Sequence, residues 1–153
     1  MATQAPAKET KVEIKKGAKP IDIFRAKHPE ILQEIMPHLV EDGHYNKAII
    51  VKELATMMLA MPDEICVVVA YQDRELVGYT IGWIPVDRKF VWLGQSWNTV
   101  DRKFGQRAIA TVKQWAIDEH DIHEIRFETE RNGFALAKKW EFEVHGYIMG
   151  CNF

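Results

Sequence analysis

The run I-C-V-V-V-A-Y, Ile65 to Tyr71, constrains the fold more than any other stretch. It is apolar throughout, ends in the polar turn Q-D-R-E, and is answered by L-V-G-Y-T-I-G-W-I-P. Short β-branched apolar runs bounded by turn formers read as strands, so these two segments form a buried hairpin. A third strand follows in F-V-W-L-G-Q-S-W-N-T, where the polar residues Gln95, Ser96 and Asn98 arrive late in an otherwise apolar segment. Something near its end requires polar groups.

Upstream, I-D-I-F from Ile21 alternates as a short strand. Pro29 suits the first turn of a helix through H-P-E-I-L-Q-E-I-M-P-H-L-V, with Ile31, Leu32, Ile35 and Leu39 as its buried stripe. Pro37 should kink or end that helix, and E-D-G-H-Y-N reads as a loop. Lys47 to Ala60 is a second helix, with Ile50, Leu54, Met57 and Met58 inward, and Met61-Pro62-Asp63 stops it. Downstream of the meander the chain turns at Gly105 from strand-like to helical, with Ala108, Ile109, Val112, Trp115 and Ala116 recurring at helical period up to Asp118–Asp121. I-H-E-I-R-F-E-T-E alternates as a strand, with Ile125 and Phe127 on one face. Asn132 to Trp140 reads as a short helix, and F-E-V-H-G-Y-I-M-G as the last strand. This order predicts a mixed α/β sheet with a mainly antiparallel front and one crossover helix.

The 153 residues, 47% hydrophobic and with five tryptophans, suffice for one domain with a substantial core. A net charge of -2 lacks the basic excess of a protein that neutralises nucleic-acid phosphates. Cys66 and Cys151 are too few for a disulfide framework or a zinc site, which fits a reducing compartment. No segment has membrane-spanning length and Met1–Pro6 has no apolar leader core, so a soluble cytoplasmic protein is expected. Residues 1–20 carry five lysines against two glutamates and almost no large apolar residue, which predicts a flexible basic arm before a single domain over 21–153.

Three segments carry a resemblance to the GNAT superfamily of acyl-CoA-dependent N-acyltransferases. A-Y-Q-D-R-E-L-V-G-Y looks like the family's hairpin entering the central sheet. V-D-R-K-F-G-Q-R-A-I stands where the pyrophosphate loop belongs, and E-T-E-R-N-G-F-A-L-A-K-K-W-E-F-E-V looks like the closing segment. Within the family the chain is most similar to short, divergent GNAT-like proteins of tailed bacteriophages. The resemblance implies a GNAT-like mixed central sheet, mostly antiparallel with a splayed parallel pair and flanked by about four helices.

The resemblance also implies acetyl-CoA as co-substrate. The acyl-pantetheine arm would enter between the splayed strands at Ser96 to Val100, which makes Asn98, Thr99 and Val100 candidate contacts. A helix start offers unpaired N–H groups and a positive dipole end to the CoA pyrophosphate, so Lys103, Phe104, Gly105, Gln106, Arg107 and Ala108 are the candidates there. The family pattern is Gln or Arg, two residues, Gly, one residue, then Gly or Ala, and no register matches it fully. From Arg102, Gly105 fits but Arg107 fills the second small position; from Gly105 the basic residue is lost; with Gly105 last, Lys103 replaces the first glycine. Two readings stay open: Lys103 and Arg107 hold phosphate through their side chains, or Gly105 only permits the turn from strand to helix. Asn132 stands where the family often touches the pantetheine arm and equally suits an N-cap.

For direct attack of an amine on the thioester, a base must take the ammonium proton and an acid must protonate the thiolate. The family's tyrosine is missing from Phe134–Trp140, so Tyr147, with Tyr45, stands in as acid by residue type, and Glu128 or His44 as base. A strand-end Glu is also an ordinary solvated charge. His120 and His123 straddle a helix end, where a dipole contact outweighs a metal site, so no metal is expected. Trp83, Trp92 and Trp97 read as core aromatics before they read as an acceptor wall. The function expected is acetyl-CoA-dependent N-acetylation of a small-molecule amine or peptide N-terminus, without nucleic acid or membrane as partner. The alternative is a non-catalytic GNAT-fold structural or assembly protein, such as a phage virion component, whose arm holds a protein partner. Self-association is left open, as is whether the chain is an enzyme; a phage protein would reside in the host cytoplasm or the virion.

Overall fold

The computed structural model describes residues 19–41, 46–100 and 102–128. The arm before them and the expected closing helix and strand lie outside the described residues. The elements are β1 (Asp22–Ala26), α1 (Ile31–Ile35), a 3-10 turn (Met36–His38), α2 (Lys47–Ala60), β2 (Ile65–Gln72), β3 (Glu75–Trp83), β4 (Val91–Asn98), α3 (Arg102–His120) and β5 (Ile125–Phe127). The five strands lie in sequence order in one sheet. The first three pairings are antiparallel, and β4 pairs parallel with β5 across the α3 crossover.

β2 shows why the sheet needs cover on both faces. Ile65, Val67 and Val69 pack with Leu32, Ile35, Leu39, Leu54 and Met58 on the α1–α2 side. Their alternates Cys66, Val68 and Ala70 pack with Phe104, Ala108, Val112 and Trp115 of α3 on the other. A strand between two helical layers is buried on both faces, as β2 is from Ile65 to Ala70, hence the unbroken apolar run. The β2–β3 turn places Asp73 (φ 50°) and Arg74 (φ 67°) in the left-handed region, the two-residue geometry that matches strand twist. Asp73 also pairs with Lys19.

Local signals set the ends of α2. The Asn46 side chain accepts from the Ile49 amide at 3.0 Å, an N-cap, and Met61 N–H closes the last turn onto Met57 O at 2.8 Å before Pro62. The first helix is shorter than its apolar stripe predicts. It gives way to the 3-10 turn at Met36, because Pro37 has no N–H to continue the ladder. The strand expected from Ile122 starts instead at Ile125, since Ile122 is spent on the end of α3. There Asp121 turns left-handed (φ 52°), and the amides of Asp121 and Ile122 return to Ile117 O and Ala116 O.

α3 begins at Arg102 and not at Gly105. Phe104 explains the earlier start: it lies one turn before Ala108 and is buried with it against the sheet, so the apolar stripe already needs helical backbone there. Three α-helices and the 3-10 turn flank the sheet among the described residues, and the fourth expected helix, Asn132 to Trp140, lies outside them. No helix among them is long and apolar enough to cross a membrane.

Candidate active site

β4 joins its neighbours unevenly. Val91, Trp92 and Leu93 pair with Ile125, Arg126 and Phe127, and beyond Leu93 no strand among the described residues continues on that edge. On its other edge β4 stays paired with β3 as far as Asn98. Among the described residues the second half of β4 therefore has an open edge, a gap beside β5.

Gly94 lies where the gap begins. Ile81 pairs with Gln95 but Gly82 pairs with Leu93, so Gly94 is the extra residue of a β-bulge. A bulge shifts the inward–outward alternation by one. Val91 and Leu93 face α3, whereas beyond the bulge Trp97 packs on the α1–α2 side and Gln95 reaches Tyr79 there.

The amide of Thr99 donates to Val77 O at 2.9 Å, which makes 99 and 77 a hydrogen-bonded pair of the β3–β4 ladder. With a period of two, Trp97 and Gln95 also address β3, and the main-chain groups of Ser96 and Asn98 point the opposite way, into the gap. The Thr80 and Ser96 hydroxyls, 2.8 Å apart, agree with this phase, because side chains approach closest at positions that do not exchange main-chain bonds.

Past Asn98 the chain bends into α3. The amides of the N-cap and of the first three residues of a helix have no acceptor within it; of these α3 supplies Arg102, Lys103 and Phe104. The Phe104 ring fixes this end to the sheet beside Gly78, where a Cβ would come within 3.0 Å of it.

The other face of β4 carries a second constellation. The His38 ring stacks on Trp97, with centroids 3.7 Å apart and planes 15° apart. The single Tyr79 hydroxyl proton is shared between two acceptors, His38 O at 3.1 Å and Gln95 Oε1 at 3.3 Å. The Gln95 carboxamide also accepts from Val40 N–H and donates to Val40 O, both at 3.2 Å. Gln95 thus pairs with the main chain of Val40 as a strand would and ties the exit of the 3-10 turn to β4. Burial pushes the Tyr79 phenol up to about 12, so it stays a hydrogen-bond donor.

The structure brings some of the expected contacts to the gap and not others. Asn98 is exposed on the open edge. Thr99 spends its amide on Val77, and Val100 packs half-buried against the α3 core. Lys103 and Gly105 contribute main chain to the helix start, and Gln106 and Arg107 follow it on exposed positions. Phe104 and Ala108 turn their side chains into the core, and Ala108 lies beyond the four unpaired amides. Glu128 is exposed one residue past β5, at the mouth of the gap. His44, Tyr45, Asn132 and Tyr147 lie outside the described residues. Of the tryptophans, Trp97 forms the wall under His38 and Trp83 covers Gly94. His120 binds Asp63 O and His123 binds Asp121, and no group of three or more metal-ligating side chains occurs among the described residues.

The sequence reading missed His38, Tyr79 and the bulge. Gln95 gave a signal as a polar residue in an apolar run, and so did Gly94 as a lone glycine within a strand.

By sequence the chain matches neither a family model nor a curated protein. Its structure does find matches. Aminoglycoside N-acetyltransferase AAC(6')-Iy in complex with CoA superposes with a TM-score of 0.70 at 14% identity, over 89% of this chain and 96% of that one. Aminoglycoside 6'-N-acetyltransferase AAC(6')-Ih from Acinetobacter baumannii gives 0.65 at 10% identity, over 88% and 98%. Glucosamine-6-phosphate N-acetyltransferase from Arabidopsis thaliana gives 0.63 at 8% identity, over 88% and 99%. The chain has the GNAT fold. The end of the β4–β5 pairing, the bulge and the start of α3 follow one another along the chain, and the His38–Trp97 stack lies on the α1–α2 face of β4.

Proposed function

We propose that this chain is an acetyl-CoA-dependent N-acetyltransferase acting on a primary amine, either a small molecule or a peptide N-terminus. The observation that carries the proposal is the half of β4 with no partner strand among the described residues, where the main-chain groups of Ser96 and Asn98 point away from β3 shortly before the chain enters α3. The amides of a pantetheine arm are the complement of such an edge, and β-type pairing is how an extended ligand satisfies it. The N–H groups of Arg102, Lys103 and Phe104 would hold the pyrophosphate, with the helix dipole adding to the attraction. Likeness to a transferase solved with CoA supports this use of the site. Bound there, the thioester would supply an activated acetyl group.

Ser96→Pro tests the edge. The proline removes the N–H that points into the gap and leaves the β3–β4 ladder intact, because position 96 does not bond to β3. Losing one amide contact of about 1.4 kcal/mol should weaken CoA binding roughly tenfold while circular dichroism is unchanged. An unaltered affinity would remove the β4 edge from the proposal. Wild-type protein that binds no CoA would fit the non-catalytic assembly reading, including the phage-particle variant.

A further inference from the structure

We propose that His38 is the general base that takes the proton from the acceptor amine, an assignment that rests on the transferase reading above. Three contacts fix it against β4. Its ring lies flat on Trp97, its carbonyl accepts from Tyr79, and the main chain two residues on is paired with Gln95. Trp97 stands between Ser96 and Asn98, the positions open to the gap, so the imidazole is held on the same short piece of strand that would line the thioester.

Packing by itself accounts for a buried aromatic, but His38 is half-exposed, and neither ring nitrogen has a hydrogen-bond partner among the described residues. Face-on stacking leaves both nitrogens at the free edge of the ring. A base must be within reach of its proton and held there before the substrate arrives, and this arrangement supplies the second condition. Imidazole is also the side-chain type suited to exchange protons near neutral pH. Among the described residues, four other charged or titratable groups around the 3-10 turn are otherwise engaged. Lys47 Nζ donates to Pro37 O, the Glu41 carboxylate accepts from the Lys47 amide, Glu34 accepts from Tyr71, and the Tyr79 hydroxyl donates to His38 O.

In the proposed step the acceptor ammonium gives one proton to His38 and the freed amine attacks the thioester carbonyl. The C–N bond forms as the C–S bond breaks. A second nitrogen proton is lost to water while the third stays as the amide N–H, and the thiolate takes a proton from water and leaves as CoA thiol. His38 then returns its own proton to solvent.

His38→Phe is the decisive variant, because a phenyl ring keeps the stack on Trp97 but cannot carry the proton. Thiol release from acetyl-CoA would be followed with spermidine, tryptamine, neamine and a tripeptide with a free N-terminus, and the variants assayed on whichever is acetylated. The expectation is CoA affinity within twofold of wild type by calorimetry, a fall in kcat of about 100-fold or more, and loss of the acid limb of the pH profile. Should His38→Phe not fold, His38→Gln replaces it. Glu128→Gln is the comparison and should cost far less. A His38→Phe protein with wild-type kcat and pH profile overturns the assignment, and a large loss in Glu128→Gln alone moves the base to the end of β5. Wild-type protein that acetylates none of the four amines overturns the transferase reading itself.

Discussion

Gly94→Ala should destabilise the protein, and the same substitution should stabilise it once Trp83 is removed. The φ of Gly94 lies outside the left-handed region, so its backbone does not demand glycine. The space does. A Cβ there would lie 2.2 Å from Cζ3 and 2.5 Å from Cη2 of the Trp83 indole. Carbon atoms in ordinary contact stand about 3.5 Å apart, so the ring edge would have to retreat by roughly 1.3 Å. Trp83 is packed against the α1–α2 core, and overfilling such a site costs about 1–3 kcal/mol. Against this, alanine in place of a strand glycine gains about 0.5–1 kcal/mol. The net expectation is a loss of up to about 2.5 kcal/mol, read as a lower urea midpoint with unchanged slope. In a Trp83→Ala background the clash is gone and only the gain remains, so the sign should reverse. Equal destabilisation in both backgrounds would refute the steric account and assign the glycine to the bulge geometry itself.

Other expectations follow from buried groups. Arg25 donates to Glu119, Pro62 O and Ile65 O and lies over Trp115, tying β1 to the start of β2 and to α3. Glu119 is half-exposed, so the carbonyl contacts should dominate, and Arg25→Met should cost about 2–4 kcal/mol in urea unfolding; a loss below 0.5 kcal/mol would show the tie to be dispensable. Tyr79 and Tyr71 are both pushed up to about 12, Tyr79 by burial and Tyr71 by burial and then its bond to Glu34. An unfolded tyrosine ionises near pH 10, so the unfolded chain releases these protons first; stability should be intact below pH 10 and decline between 10 and 12. Tyr79→Phe should flatten the melting temperature over that window, and an unchanged slope would argue against Tyr79 as a source. Burial pushes the Cys66 thiol up to about 12 as well, so a thiol reagent at pH 8 should label it only after denaturant is added. Rapid labelling of the native protein at Cys66 would contradict that packing.

Features set by neighbouring residues could be read from the sequence. α2 runs from Lys47 to Ala60 as its spacing predicts, because Asn46 and Pro62 bound it locally. The β2–β3 hairpin followed from one apolar run and a two-residue turn. The start of α3 was misplaced because Gly105 looks like a boundary, whereas Phe104 needs helical backbone to reach the core under Gly78. Gly94 was a visible lone glycine, but the Trp83 ring that closes over it comes from the adjacent strand, which no local pattern announces. Gln95 was noticed as polar, but its partner Val40 lies 55 positions away. His38 follows a proline near the end of a predicted helix, and only the fold places it on Trp97. Contacts between distant segments built the site, so it was less legible than the elements that carry it.

Calorimetric titration of the full chain with acetyl-CoA, repeated with free CoA, tests the central claim most directly. Micromolar binding, weakened by Gly105→Asp while the melting temperature holds, is the predicted result, since a carboxylate among the first amides of α3 repels phosphate without opposing the helix. No binding at millimolar ligand would contradict the account and leave a GNAT fold without its co-substrate.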